Sequence, residues 1–244
     1  MQDNDTDRGV KGITNVESMF DSIAWRYDLL NHLLSFGIDR IWRRRAVRII
    51  ARHVRNPEII DVATGTGDLA IAAMKLDPLR ITGLDISEKM LEEGRKKILK
   101  KGYGAIIDLK RGESENISFP DNTFDTAMAG FGVRNFRDPL RGLSEMYRVL
   151  KPGGIIMILE FSNPQRFPLR HIYNFYFRRL LPLAGKLLSK NRIAYSYLPE
   201  SVLRFPDNER FLDLLRMAGF TDVKQKKFTG GIASVYTGFK FSTQ

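Results

Sequence analysis

The chain has 244 residues, 43% of them apolar, with a formal net charge of +11, a size that suits one large α/β domain or two small ones. It has no cysteine, which excludes disulfides, cysteine–zinc centres and thiol nucleophiles. Its polar start lacks the apolar core of a signal peptide and no apolar run approaches the ~20 residues of a membrane span, so a cytoplasmic protein is expected.

Residues 1–15 read as a disordered polar tail and residues 16–56 as N-terminal helices. Phe20, Ile23, Tyr27, Leu30 and Leu34 recur at three- and four-residue spacing and mark one helical face. A second helix is expected over residues 39–53. The rhythm then changes. Residues 58–63 form a short apolar run ending at glycines, which predicts a buried strand. A helix over residues 69–75, a strand over 81–86, a helix over 88–101 and strands over 107–112 and 124–129 follow. A helix over residues 139–150 stops at Pro152-Gly153-Gly154, and residues 155–161 make a fifth strand. Alternating strands and helices predict βαβ units and a parallel sheet. Residues 164–204 are aromatic and strongly basic, with Glu200 their only acid. A helix over residues 208–218 follows, with Asp207 as its N-cap and Gly219 just past its end. Residues 223–228 and 234–241, on either side of Thr229-Gly230-Gly231, close the chain as a hairpin. Residues 16–244 read as a single domain.

The strongest local signal is Asp61-Val-Ala-Thr-Gly65-Thr66-Gly67-Asp68, placed where a strand turns into a helix. Glycines there let a ligand approach the backbone. Asp85 ends the next strand, where a carboxylate can accept from both hydroxyls of a ribose. Gly65-x-Gly67-x-x-Ala70 also spells the dinucleotide fingerprint, and a turn with no ligand is the bland alternative. S-adenosylmethionine is preferred over a dinucleotide for two reasons. Asp61 lies inside its strand, where it can face the amino group of a methionine. No second nicotinamide-binding half follows the fifth strand. Glu113, at the tip of the third strand, can accept from an adenine amino group or be a solvated loop carboxylate. Tyr147-Arg-Val-Leu-Lys151 spells a reductase motif, but it closes a helix, where Lys151 favours the dipole.

Asp61 to Asp68, Asp85 and the Arg148–Gly154 turn resemble class I S-adenosylmethionine-dependent methyltransferases. The longer stretches are more specific. Tyr27-Asp28-x-x-Asn31-x-x-Leu34-Ser35, running on to Trp42, and Arg148 through Glu160-Phe-Ser-Asn-Pro164 resemble the two signatures of the ubiquinone/menaquinone-biosynthesis C-methyltransferases. Phe119–Asp125 and Phe131-Gly-Val-Arg134-Asn135 match as well. The chain departs from that family at Leu30 (usually Met), Asp39 (usually His) and Thr64 (usually Gly). The resemblance implies a Rossmann-like, mostly parallel sheet with a C-terminal antiparallel hairpin and N-terminal lid helices. It also implies methyl transfer from S-adenosylmethionine to a ring carbon of a polyprenylated quinol, with Thr66, Asp85, Glu113 and Ser114 at the cofactor. Residues 173–190 look more like the menaquinone members, so demethylmenaquinol is the expected acceptor. A 2-methoxy-6-polyprenyl benzoquinol is the alternative, and a nucleic-acid methyltransferase a more distant one.

A reduced quinol offers a nucleophilic carbon once its hydroxyl loses a proton. The enzyme must align that carbon and help remove the proton. Gly130 ends the fourth strand, at the ligand end of such a sheet. Beyond it Arg134 can stabilise a phenolate or polarise a water, with Asn135 orienting the same oxygen; the alternative is that Arg134 pairs with an acid and anchors a loop. Tyr27, Asp28 and Asn31 fall on a lid helix or on one that only packs. His171 and Tyr173 lie on the expected substrate side, where a lone histidine can also be structural. The basic aromatic segment suits an anionic membrane surface at the inner face, rather than nucleic acid; the alternative is a solvated face over a substrate lid. No metal-ligand cluster is read from the sequence. A homodimer is compatible with it.

Overall fold

Ile59, Ile60 and Val62 of β1 (Glu58–Val62) are all buried, the pattern of a strand covered on both faces. β1 is the centre of the fold in a computed structural model that describes residues 37–165, 167–175 and 201–241, with residues 17, 18, 20–22, 24, 32 and 35. Its partners are β2 (Arg80–Asp85) and β4 (Phe124–Gly130), both parallel, so that Asp61 lies opposite Gly83 on one side and Met128 on the other. With β3 (Ile107–Arg111), β5 (Leu150–Phe161), β6 (Thr221–Phe228) and β7 (Ala233–Phe239), the seven strands run in the order β3-β2-β1-β4-β5-β7-β6. β7 runs antiparallel to both β5 and β6.

Alternate side chains of each strand enter opposite layers. Ile59, Met128, Met157 and Leu159 join the layer under α1 (Ile38–Ile50), α2 (Asp68–Ala73) and α3 (Glu88–Lys100). Ile60, Val62, Ile156 and Ile158 join the other, under α4 (Pro139–Val149) and α6 (Glu209–Met217). Helix starts follow capping chemistry. The Ser87 hydroxyl accepts from the Met90 amide at 3.2 Å, and Asp138 accepts from the Arg141 amide at 3.1 Å ahead of Pro139.

The structure revises three expectations. β5 begins at Leu150, which pairs with Phe124, so Pro152-Gly153-Gly154 is a kink inside the strand, with Gly153 at φ 78°. Asp207 does not cap α6. Its carboxylate instead accepts from the Asn163 amide at 2.8 Å, and Asn208 holds the cap position without a side-chain bond. Lys151 does not serve a helix end: its ammonium meets Glu58 at 2.9 Å and Asp125 at 3.1 Å, where β1, β4 and β5 begin. Of the predicted N-terminal helical face, Phe20 is described as helical, while Ile23, Tyr27, Leu30 and Leu34 lie outside the described residues. Most of the basic stretch lies outside them too. The part described includes α5 (Leu169–Phe175).

Gly94, in the middle of α3, allows that helix to touch the glycine turn after β1. A Cβ there would lie 3.1 Å from the Thr66 carbonyl and 2.6 Å from a Leu109 methyl. Gly94→Ala gains about 1 kcal/mol of helix propensity but overpacks the contact at a cost of about 1–3 kcal/mol. A lower urea midpoint is expected despite the better helix former.

Candidate functional site

The chain leaves β1 towards β2 on one side and is met by β4 on the other. A parallel sheet opens a crevice at such a switch point, beyond the carboxyl ends of the strands. The crevice is present here, walled by Asp61, Gly65, Thr66, Asp85, Ser114, Gly130 and Asn135 among the residues expected from sequence. Arg43, Asp68 and Phe131 also face it.

Two turns shape its floor. After β1 the backbone is left-handed at Ala63 (φ 55°), Gly65 (56°) and Gly67 (78°); after β4 it is left-handed at Phe131 (60°). Such conformations are costly for alanine and phenylalanine and persist only where neighbours enforce them. The enforcement is visible. Thr64 N–H donates to the Leu84 carbonyl at 2.9 Å, and Gly65 N–H to the Asp85 carboxylate at 2.8 Å. The two turns also pack on each other so closely that a Cβ at Gly132 would sit 2.6 Å from that of Ala63.

Asp61 is fully buried. One carboxylate oxygen accepts from the Thr64 hydroxyl at 2.6 Å; the other has no partner of good hydrogen-bond geometry among the described residues, although the Ala70 amide also acts on the carboxyl. Burial pushes its carboxyl up to about 7, against the lowering effect of the Thr64 hydroxyl. An enclosed, half-satisfied carboxylate at the crevice suits a ligand bearing a cation. Burial raises the Asp85 carboxyl as well, opposed by the amides of Ser87 and Gly65, which donate at 3.0 and 2.8 Å. Each Asp85 oxygen therefore keeps acceptor capacity for a hydroxyl. These two carboxylates fit the amino group and the ribose of S-adenosylmethionine.

Other candidates are placed differently. Glu113 is exposed and outside the wall, while Ser114 faces the crevice and donates to Glu115 at 2.7 Å. Asn135 faces the crevice, but the Arg134 guanidinium beside it turns away. It pairs with the buried Glu160 at 2.7 Å, donates to the Phe131 carbonyl and lies 5.5 Å over the Phe161 ring. Arg134 thus takes the loop-anchoring position, holding the left-handed turn at Phe131. His171 is exposed on α5, edge-on to Phe167 at 5.5 Å, whereas Tyr173 is buried near Arg134 and Glu160. Tyr27, Asp28 and Asn31 lie outside the described residues.

Sequence reading passed over a charged network along one wall. Asp39 and Arg43, one turn apart on α1, are hydrogen-bonded; Ser35 donates to Asp39 at 2.6 Å, and His32 lies 2.8 Å from Asp39 and 3.4 Å from Asp68. Lys97 of α3 reaches Asp68 at 2.7 Å. Burial alone would raise the Asp39 and Asp68 carboxyls. Ser35, Arg43 and His32 pull Asp39 below its ordinary value, and Arg43 and Lys97 do the same for Asp68. The i, i+4 spacing of Asp39 and Arg43 was the available signal. Nothing local showed that Asp68 would meet them.

This strand order, with its reversed seventh strand and its crevice beside a buried aspartate, defines a class I S-adenosylmethionine-dependent methyltransferase. More narrowly, the chain belongs to the ubiE/COQ5 methyltransferase family, whose model matches residues 7–240. It is 47% identical over 226 residues to a demethylmenaquinone methyltransferase of Bacteroides fragilis, covering 92% of both chains. It is also 47% identical over 237 residues to a ubiquinone/menaquinone biosynthesis C-methyltransferase of Geotalea daltonii, covering 96% of this chain and 98% of that one. A solved S-adenosylmethionine-dependent methyltransferase from Thermotoga maritima shares the fold at TM-score 0.65 and 23% identity, over 91% of this chain and 99% of that one.

Two outcomes are expected. Asp61, with its carboxyl raised from 3.8 to about 7, stabilises the ligand-free fold most below the lower value and loses that contribution as pH rises through the upper one. Asp61→Asn should therefore flatten the fall in ligand-free stability between those pH values. It should also weaken S-adenosylhomocysteine about 10- to 100-fold by calorimetry. Arg134→Ala leaves Glu160 buried without its partner, and urea denaturation should show a loss of about 3–5 kcal/mol.

Proposed function

We propose that this methyltransferase converts demethylmenaquinol to menaquinol. The observation that carries the donor is the enclosed Asp61 carboxylate with one unmatched oxygen in the crevice wall. The acceptor is supported by relatives named demethylmenaquinone methyltransferase, among them those of Bacteroides fragilis and Porphyromonas gingivalis, the latter 41% identical over 227 residues. S-adenosylmethionine supplies an electrophilic methyl group on its sulfonium.

The protein's part is positioning and exclusion of water. Asp61 and Asp85 hold opposite parts of the donor. Phe131 contributes an aromatic edge to the crevice wall, packed on Phe161 at 4.6 Å and Trp42 at 6.2 Å and covered by Arg43. An apolar wall of this kind suits a flat bicyclic ring and keeps water from it. Asn135, on the turn after β4, is placed to hold the oxygen next to the reacting carbon. Arg134 keeps that turn in shape through Glu160. Tyr27, with Asp28 and Asn31, is retained from the sequence as the group closing over the ring.

The polyprenyl tail requires a lipid phase. No helix among the described residues is long and apolar enough to cross a membrane. The supporting feature is the basic aromatic stretch. On α5 and just before it, Phe167 is 82% exposed and Phe175 60% exposed, with Arg170 exposed between them. Exposed aromatics beside cations favour docking on an anionic bilayer surface. A second acceptor is favoured by relatives whose names cover both ubiquinone and menaquinone biosynthesis: a 2-methoxy-6-polyprenyl benzoquinol.

The test is an anaerobic assay with methyl-labelled donor. Chemically reduced demethylmenaquinone is supplied in anionic or neutral vesicles, beside the reduced benzoquinone and bulk RNA. Label in the naphthoquinol, arriving faster on anionic vesicles, is expected. Label in RNA and in neither quinol would overturn the proposal.

A further inference from the structure

The crevice carries an imbalance of charge. Its described wall holds three carboxylates, Asp61, Asp68 and Asp85, and one cationic side chain, Arg43. A methionyl tail is a zwitterion, bringing one ammonium and one carboxylate into a space that excludes water. Asp61 answers the ammonium. An enclosed carboxylate left without a donor would cost more than the hydrogen bonds elsewhere return.

Two sets of donors are considered: the backbone of the glycine turn and the one cationic side chain of the described wall. The first is the backbone of the glycine turn, which in nucleotide sites cradles anions. Here three of its amides are committed: Thr64 N–H to Leu84, Gly65 N–H to Asp85, and Gly67 N–H to the Thr64 carbonyl at 2.9 Å, and none of them brings a full positive charge. The second is Arg43. Its guanidinium lies 5.3 Å over the Phe131 ring, and its side chain is 10% exposed. A single nitrogen, Nη1, bonds to Asp39, and the same nitrogen stands 3.8 Å from Asp68. A guanidinium has five N–H donors in a planar fork. Asp39 and the Phe131 ring fix the plane of that fork, and among the described residues its other nitrogens have no hydrogen-bond acceptor, which leaves them for a ligand.

We propose that Arg43 binds the α-carboxylate of the methyl donor, with Asp39 and Asp68 as its positioning residues. The assignment rests on S-adenosylmethionine being that donor. It gives the network on α1 a purpose that packing alone does not supply. Two acids beside one arginine hold the fork before the ligand arrives, so less order has to be imposed on binding. It also joins the N-terminal segment to the donor, because His32 contacts both positioning acids at 2.8 and 3.4 Å.

Ligand truncation tests it without turnover. S-adenosylhomocysteine carries the carboxylate and the ammonium; S-adenosyl-3-thiopropylamine keeps the ammonium and lacks the carboxylate; 5′-methylthioadenosine lacks both. Dissociation constants are measured by calorimetry for the wild type, Arg43→Gln and Arg43→Lys. The wild type should prefer S-adenosylhomocysteine to the thiopropylamine by about 10- to 100-fold, the worth of a charge-assisted hydrogen-bond pair. Arg43→Gln should erase that preference while binding the thiopropylamine as well as before or better, the neighbouring acids having lost their counter-charge. Arg43→Lys should recover part of it. Where the single glutamine variant unfolds, Asp39→Asn combined with Arg43→Gln removes the pair together and carries the same expectation. Equal weakening of all three ligands would reduce Arg43 to a structural role and overturn the assignment, as would an undiminished preference in the glutamine variant. Failure of the wild type to bind S-adenosylhomocysteine would overturn the donor reading and this assignment with it.

Discussion

Asp61, one residue from the end of the central strand, has its carboxyl enclosed, and an enclosed carboxyl must either stay protonated or face a cation. That condition organises the crevice. Thr64 satisfies one oxygen, which bends the chain at Ala63 into a conformation alanine resists. The bend opens Gly65 and Gly67 to their own left-handed geometry and starts α2 at Asp68. Gly132 gives the turn after β4 room to lie against it. The ligand-free protein therefore stores an unfavourable electrostatic arrangement at its centre, and a cationic ligand is the natural release for it.

The wall opposite is arranged by the same logic with the signs reversed. Arg43 is enclosed too, and acids on two helices stand beside it. Arg134 repeats the device at the end of β5, where Glu160 neutralises it and Phe161 covers it. The two arginines bracket the Trp42, Phe131 and Phe161 rings. Buried ion pairs add little net stability but are strict about geometry, so each pair fixes the position of an aromatic ring more than it strengthens the fold. An acceptor ring packed beside Phe131 would inherit that positioning.

The centre of the sheet was legible because β1, β2 and β4 are short, mostly apolar runs followed closely by glycine or a carboxylate, and the cofactor turn because local chemistry forces it. Asp61, Gly65, Thr66, Asp85, Ser114, Gly130 and Asn135 all reach the crevice. The misreadings have a shared cause. Pro152-Gly153-Gly154 resembles a loop until Leu150 is seen to pair with Phe124, and Asp207 resembles a cap until Asn163 claims it. Lys151 looked like a dipole partner until carboxylates distant in sequence took it, and of the two arrangements open for Arg134 the structure shows the ion pair, with Glu160. In each case the deciding partner is set by tertiary contact, which no local pattern encodes. Arg43 was overlooked for the same reason: an arginine on an amphipathic helix is ordinarily a surface residue.

The position of β7 bears on how the molecule is made. It follows β6 in the chain yet lies between β5 and β6, so the penultimate strand sits on the outer edge and waits for its neighbour. During synthesis β1 to β5 can pair as they emerge, but the flank of β5 stays bare until residues 233–239 arrive. Those residues bring Val235 to one core layer and Tyr236 to the other. A nascent chain paused before that point would carry a finished donor crevice beside an open, aggregation-prone edge. The period of greatest risk for this protein thus falls between the synthesis of β5 and that of β7, after its binding site has taken shape.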